Sequence, residues 1–375
     1  MRPTYAPGFA APCGLAYLFL LLCPVFLLVG ATRAAAEPRY TAMYGQSCVL
    51  CHVNPTGGGM RSLYASQYLV PEELAMAVTR DDALTNLNPE VTPGLAFGAD
   101  LRTLVYQQEG GRGSTFSMQG DLYVHAQVSA EVDLYLEQGQ SRAGEIFGTA
   151  RVLPLDGYLK AGRFLPDHGW RFVDHQMFNR RYLLDPAGTD DPGVHYTSGL
   201  EVGVSPGIFW ATASVFEGIR GDPEPRLGDN YAAKIMIQKG FGGLNLGVGA
   251  SVLRRSGIDG HRRAAGGLWY AGAGPVTWLG QIDETGQDGQ AGILAVHEIA
   301  VRFLRGADLL ATYSFQDPDR SLKSGSRHRT GAGVAVMPAP YFSTRLMVNS
   351  WKIDQGPAVA GEDYLEANLV AHFFF

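Results

Sequence analysis

The sequence predicts an all-β chain, folded as a transmembrane antiparallel up-and-down β-barrel of about sixteen strands behind a small N-terminal segment. Three observations predict it. From about Pro93 onward, apolar and polar side chains alternate with period two through many strand-length segments. The joints between those segments are alternately short and long. After Leu28, no apolar run approaches the roughly 20 residues that a membrane helix needs.

Taken in order, residues 1–36 read as a secretory signal peptide. Arg2 stands near the start, an apolar run extends from Leu15 to Val29, and the small residues ATRAAA precede Glu37. Removing this leader takes away Cys13 and Cys23, so the mature chain keeps Cys48 and Cys51 and has no disulfide framework to build. It also removes Arg2 and Arg33 and no acid, moving the net charge from −6 to −8. An acidic chain is a poor nucleic-acid binder, which leaves cations and basic redox proteins among its partners.

Residues 93–375 supply the barrel. In FSMQGDLYVHAQVS, Phe116, Met118, Leu122, Val124 and Val128 share one face, and Ser117, Gln119, Asp121, Tyr123 and His125 share the other. Strands are expected near 95–107, 115–129, 131–138, 144–153, 156–165, 194–205, 208–217, 230–240, 243–254, 262–273, 275–285, 292–304, 307–316, 328–338, 341–351 and 363–375. That even number is what single-chain bacterial barrels use. The final strand, DYLEANLVAHFFF, ends on Phe375, and an alternating strand with a terminal phenylalanine resembles the assembly signal of bacterial outer-membrane barrels. Short turns at 205–207, 240–243, 273–275 and 338–340 alternate with long polar joints at 166–193, 218–229, 317–327 and 352–362, placing both mature termini in the periplasm. A soluble sandwich or propeller would keep one strand face dry. Here Glu298, Arg302, Arg345 and Asn349 make the second face look like a watery lumen.

The chemistry lies ahead of the barrel, in residues 37–92. Cys48-Val49-Leu50-Cys51-His52 fits the attachment pattern of a c-type haem. Two thiols one turn apart form thioethers to the vinyl groups, and the adjacent histidine supplies the proximal iron ligand. A redox CxxC normally opens a helix of a thioredoxin-like unit, which is absent here, and zinc wants a fourth ligand that residues 37–92 lack. A disulfide across two residues would close a very small, strained loop. The loop NPTGGG lets backbone approach a porphyrin closely, and SLYASQYLVPEELAMAV makes one or two short helices, with Pro71 able to begin the second. This segment is too short to enclose a haem alone, so it is expected to plug the periplasmic mouth or lumen of the barrel. The sixth iron ligand is expected from Met60, with Met43 and Met76 behind it and His125, His168 and His175 as remoter candidates.

With signal, CxxCH and barrel in one polypeptide, the chain resembles the fused monohaem cytochrome–porins. At motif level the resemblance rests on Glu37–Arg61 and the C-terminal strand. It implies an outer-membrane protein with one covalent haem c carried by Cys48, Cys51 and His52, whose best-known members oxidise ferrous iron at the cell surface and pass electrons inward. The segment after the histidine, NPTGGGMRSLY, is unlike that of the iron oxidisers and closer to other exported single-haem chains.

The long joint from Gly162 to Gly193 interleaves Arg171, Arg180 and Arg181 with Trp170, Phe172, Phe178 and Tyr182, and carries Asp167, Asp174 and Asp185 as counter-charges. Its length marks it as a constriction, an outer docking surface, or a loop packed on its own ion pairs. Asp190, Asp191, Asp222, Glu224 and Asp229 give the outer loops some acidic character. The expected function is electron transfer between the cell surface and a periplasmic carrier or cytochrome, with outer-membrane lipid around the barrel and an extracellular redox-active metal ion as candidate donor or acceptor. The alternative is a solute or ion porin whose haem segment is a plug, sensor or staple. Haem enzymology ranks last, because no distal acid–base set is recognisable.

Overall fold

The computed structural model describes residues 38–76, 87–140, 144–184, 196–217, 230–257, 260–287, 289–354 and 362–375. The signal peptide expected over 1–36 and the acidic residues at 190, 191, 222, 224 and 229 lie outside these. Among the described residues, no helix is long and apolar enough to cross a membrane.

Among the described residues, sixteen long strands form one antiparallel sheet, each paired with its neighbours in sequence. They are β1 (Leu95–Gln108), β2 (Ser114–Gln127), β3 (Val132–Gly139), β4 (Ile146–Leu153), β5 (Gly157–Phe164), β6 (Thr197–Val204), β7 (Phe209–Phe216) and β8 (Asn230–Phe241). The second half comprises β9 (Leu244–Gly257), β10 (Gly260–Ala273), β11 (Val276–Gln287), β12 (Gln290–Leu304), β13 (Ala307–Asp317), β14 (Arg327–Ala339), β15 (Phe342–Ile353) and β16 (Glu362–Phe374). β16 pairs with β1 from Glu366 opposite Gln108 to Phe374 opposite Asp100, which closes the barrel and leaves no free edge. The sixteen expected strands are all present, with ends shifted by a few residues. A three-residue strand, Glu90–Thr92, folds back on β1 in addition.

Alternation built the strands, and burial shows which face is which. On β2, Leu122 is 64 % exposed while its neighbour Tyr123 is 1 % exposed. On β16, Leu365 and Phe373 point outward, whereas Glu366, Asn368 and His372 are buried. Apolar side chains outside and polar ones inside reverse the order of a soluble protein, and they suit a barrel with lipid outside.

The lumen that Glu298, Arg302, Arg345 and Asn349 suggested is filled in part: a cavity of about 860 Å³ beside Arg345 stays open, while Glu298 faces a plug. Residues 38–76 lie inside the lumen. α1 (Pro38–Tyr44) places Arg39 3.8 Å from Glu298 and 3.3 Å from Asp308. A wide helical turn, Ala65–Leu74, carries Pro71 inside it rather than at the start of a second helix, and buries Leu69, Val70 and Leu74 with Tyr341 and Phe374. The anchors cluster at the short-turn end. Asn245 donates to the Met43 carbonyl (2.8 Å), Arg305 to that of Glu72 (3.0 Å), and the Met76 amide to that of Met337 (2.8 Å).

The long joint after β5 also folds inward. Its described part, 165–184, buries Trp170, Phe172, Met177 and Phe178 against Tyr270, Trp210 and Trp351 of the wall. Two of its acids pair with the wall, Asp167 lying 3.2 Å from Lys234 and Asp174 2.8 Å from Arg329, and Asp185 lies outside the described residues. Arg329 also lies 3.0 Å from Glu366 and is 1 % exposed. Removing one member of such a buried set leaves uncompensated charge at about 3–5 kcal/mol. Arg329→Ala should therefore lower the unfolding free energy of the detergent-folded barrel, read from its urea midpoint and slope, by that order, and the triple change Arg329→Met, Asp174→Asn, Glu366→Gln should recover most of it; equal midpoints for Arg329→Ala and the parent would refute this pinning.

Candidate functional site

The CxxCH stretch folds as one tight turn. The amides of Cys51 and His52 both donate to the Cys48 carbonyl, at 3.1 and 3.0 Å. This winding sends both thiols and the imidazole into a single pocket. Both cysteines are free and half-buried, and His52 is buried.

The chain then turns back on itself. His52 bridges to Arg61 in antiparallel fashion, the Val53 amide donates to the Met60 carbonyl at 3.1 Å, and Ser62 caps Leu50 and Cys51. Asn54-Pro55-Thr56-Gly57-Gly58-Gly59 forms the loop, and all three glycines hold positive φ, at 85°, 79° and 61°. That backbone region excludes most side chains. Space excludes them too, because a Cβ at Gly57 would sit 3.2 Å from the Cys48 sulfur and one at Gly58 would sit 2.7 Å from the Arg171 guanidinium.

One buried carboxylate holds the surroundings together. Glu145, 0 % exposed, accepts from Asn54 of the plug (2.9 Å) and from the Leu165 amide of the inward loop (2.9 Å), and lies 3.5 Å from Arg171. Arg171 in turn donates to the Gly57 carbonyl. Lys160 of β5, paired with Glu201 at 2.6 Å, reaches Asn54 and Thr56 at 3.4 and 3.3 Å. The pocket is thus walled by the plug on one side and by Trp170, Arg171 and Phe172 of the loop on the other.

This environment sets protonation. Burial pushes the Cys48 thiol up, and burial with the neighbouring Cys48 pushes Cys51 up to about 11. Burial first, then Arg61 and Arg171, brings His52 down to about 3, so its ring is neutral near pH 7. Neutral imidazole is the form that ligates a metal. The His52 Nδ1 is buried without a hydrogen-bond partner among the described residues. Two thiols, a neutral ring and a glycine cradle facing one pocket form a donor set that suits a covalent haem. Among the described residues, no three His, Cys, Asp or Glu are grouped to hold a bare metal ion.

Met60 does not join this pocket. In the His52–Arg61 bridge the side chain next to Arg61 must point to the opposite face. Met60 accordingly packs, 1 % exposed, with Tyr123, Tyr135, Phe147 and Phe164. His125 pairs with Asp133 at 3.2 Å, and His168 lies 3.4 Å from Asp283, both away from the pocket. His175 faces a second lumenal cavity of about 860 Å³. Nothing local in the sequence marks Glu145, Asn54 or Lys160 as part of the site, because their partners lie on distant segments of the chain.

No family model matches the chain, and no curated protein matches it. Solved structures do. An anion-selective porin from Comamonas acidovorans is 12 % identical with a TM-score of 0.55, over 75 % of this chain and 99 % of that one. OprB of Pseudomonas putida is 9 % identical with a TM-score of 0.57, over 75 % and 94 %. OmpT of Vibrio cholerae is 11 % identical with a TM-score of 0.54, over 75 % and 97 %. At such identities the likeness is one of fold: a porin-like barrel.

The thiol environment is directly measurable. With Cys51 near 11, about a thousandth of it is thiolate at pH 8. Iodoacetamide should therefore label the folded, haem-free chain at least about a hundredfold more slowly than the urea-unfolded chain, and equal rates in the two states would refute the burial described.

Proposed function

We propose that the chain is an outer-membrane electron-transfer protein: a barrel housing one covalent haem c on Cys48 and Cys51, with His52 as iron ligand. Bound there, the group supplies a one-electron couple between the cell surface and a periplasmic carrier or cytochrome. The observation that carries this reading is the convergence of both thiols and the neutral His52 ring on one lumenal pocket. The porin-like fold and the lipid-suited outer face support the outer membrane as its place. The short-turn end, where the plug is anchored, is the periplasmic end by the usual loop asymmetry.

The protein's own residues would do three things. The turn at Cys48–His52 presents the attachment groups. Trp170 and Phe172 keep water from one side of the pocket, which tunes a potential by burial. Glu145 and Lys160 keep the plug from sliding along the lumen. An extracellular redox-active metal ion remains the candidate outer partner.

A second reading rests on the other cavity. Its walls carry Arg181, Arg345, Asp121 and Glu366, as a solute path would, and the plug would then act as a gate or staple. Liposomes separate the two. With an oxidant inside and a reductant outside, haem-loaded protein should move electrons at least about tenfold faster than the Cys48→Ala, Cys51→Ala chain, and Met60→Leu should leave both rate and visible spectrum unchanged. Equal rates for loaded and haem-free protein, together with selective solute flux, would favour the porin.

A further inference from the structure

The pocket holds more positive charge than its walls balance. Arg61, Arg102, Arg171, Arg180 and Lys234 line it, against Asp100 and Glu137. Three of the cations have carboxylates: Arg102 lies 2.9 Å from Asp100, Arg171 lies 3.5 Å from Glu145, and Lys234 lies 3.2 Å from Asp167. Asp100 is shared further, lying 2.8 Å from His372. Glu137 is held by the hydroxyls of Tyr135 and Tyr196, at 3.4 and 3.3 Å.

Arg61 and Arg180 are left over. Among the described residues neither has a carboxylate within ion-pair distance. Arg61 is 3 % exposed, donates from Nη1 to the Gly59 carbonyl at 2.7 Å, and lies 4.4 Å above the Phe374 ring. Its Nε, and that of Arg102, are buried without a hydrogen-bond partner. Arg180, half-buried between this pocket and the second cavity, donates to the Phe172 carbonyl at 2.9 Å. Burial, with Arg102 and then Arg171 nearby, brings Arg180 down to about 10. An unpaired buried cation and an unmet buried N–H donor each cost several kcal/mol or a good part of it, so a fold that retains both points to an anion that completes them.

We propose that Arg61 and Arg180 form an anion site for a ligand bearing two carboxylates, with the unmet Nε donors of Arg61 and Arg102 as further contacts. The ligand chemistry has two sources: the paired propionates of a bound haem, or a free dicarboxylate in the lumen. The first rests on the haem reading above; the carboxylate chemistry does not. Guanidinium suits this role because its planar fork matches a carboxylate bidentately and stays charged.

The test uses the full chain made in a host that matures c-type cytochromes, with Arg61→Gln, Arg180→Gln, the double change and Arg180→Lys, each verified as a closed barrel by heat-modifiable gel mobility. The visible spectrum of the parent first decides the haem reading. If haem is present, each glutamine variant should lower its reduction potential by the equivalent of about a tenfold shift in the reduction equilibrium, about 59 mV for one electron, because a positive charge on the pocket wall opposing Fe(III) is lost. Arg180→Lys should restore at least half of that shift. If the parent carries no haem, the haem reading fails, and succinate binding measured by calorimetry decides the anion site: the double variant should bind at least about tenfold more weakly. Unchanged potentials in the loaded chain, or unchanged succinate affinity in the haem-free chain, would overturn the proposal.

Discussion

Glu145 is the constraint on which the interior depends. It sits at 0 % exposure at the start of β4, where a lone carboxylate would be prohibitively costly, and it draws in three groups from two pieces of chain: Asn54 of the plug, and the Leu165 amide and Arg171 of the inward loop. Because Arg171 also reaches the Gly57 carbonyl, plug and loop are tied to each other as well as to the wall. The pocket that receives Cys48, Cys51 and His52 is the space this knot leaves between them. Plug, loop and pocket are therefore one polar assembly rather than independent features.

The barrel was legible because lipid and lumen impose opposite demands on alternate residues. That demand writes itself into sequence at period two, as on β2, where Leu122 faces out and Tyr123 faces in. The strand count and the alternation of short and long joints followed directly. The CxxCH motif was equally local, since its geometry is a single turn. Pairings across the lumen were not legible, because Asn54 and Glu145 are 91 positions apart and nothing in either neighbourhood names the other. The inward direction of the long joint was half legible: its length marked it as special, but partners on distant strands, Gln281, Ser251, Lys234 and Arg329 among them, show where it goes.

Met60 illustrates a different limit. Closeness in sequence made it a candidate ligand, yet antiparallel pairing of His52 with Arg61 assigns neighbouring side chains to opposite faces. The same pairing puts Arg61 on the side of His52, where its charge helps keep the ring neutral. A residue read as part of a loop thus becomes part of the site, and one read as a ligand becomes part of an aromatic cluster. Similarly, the lumen read as watery is filled where α1 sets Arg39 between Glu298 and Asp308, adding a third cation to the wall's own Arg345 and Arg302.

The central claim is that the lumenal turn at Cys48–His52 is a haem attachment site, and intact-mass measurement of the exported chain tests it most directly. Protein from a host that matures c-type cytochromes should carry the mass of one added haem, and the chain with Cys48→Ala and Cys51→Ala should carry none. A mature parent chain of unmodified mass, with both thiols free for labelling after unfolding, would contradict the account.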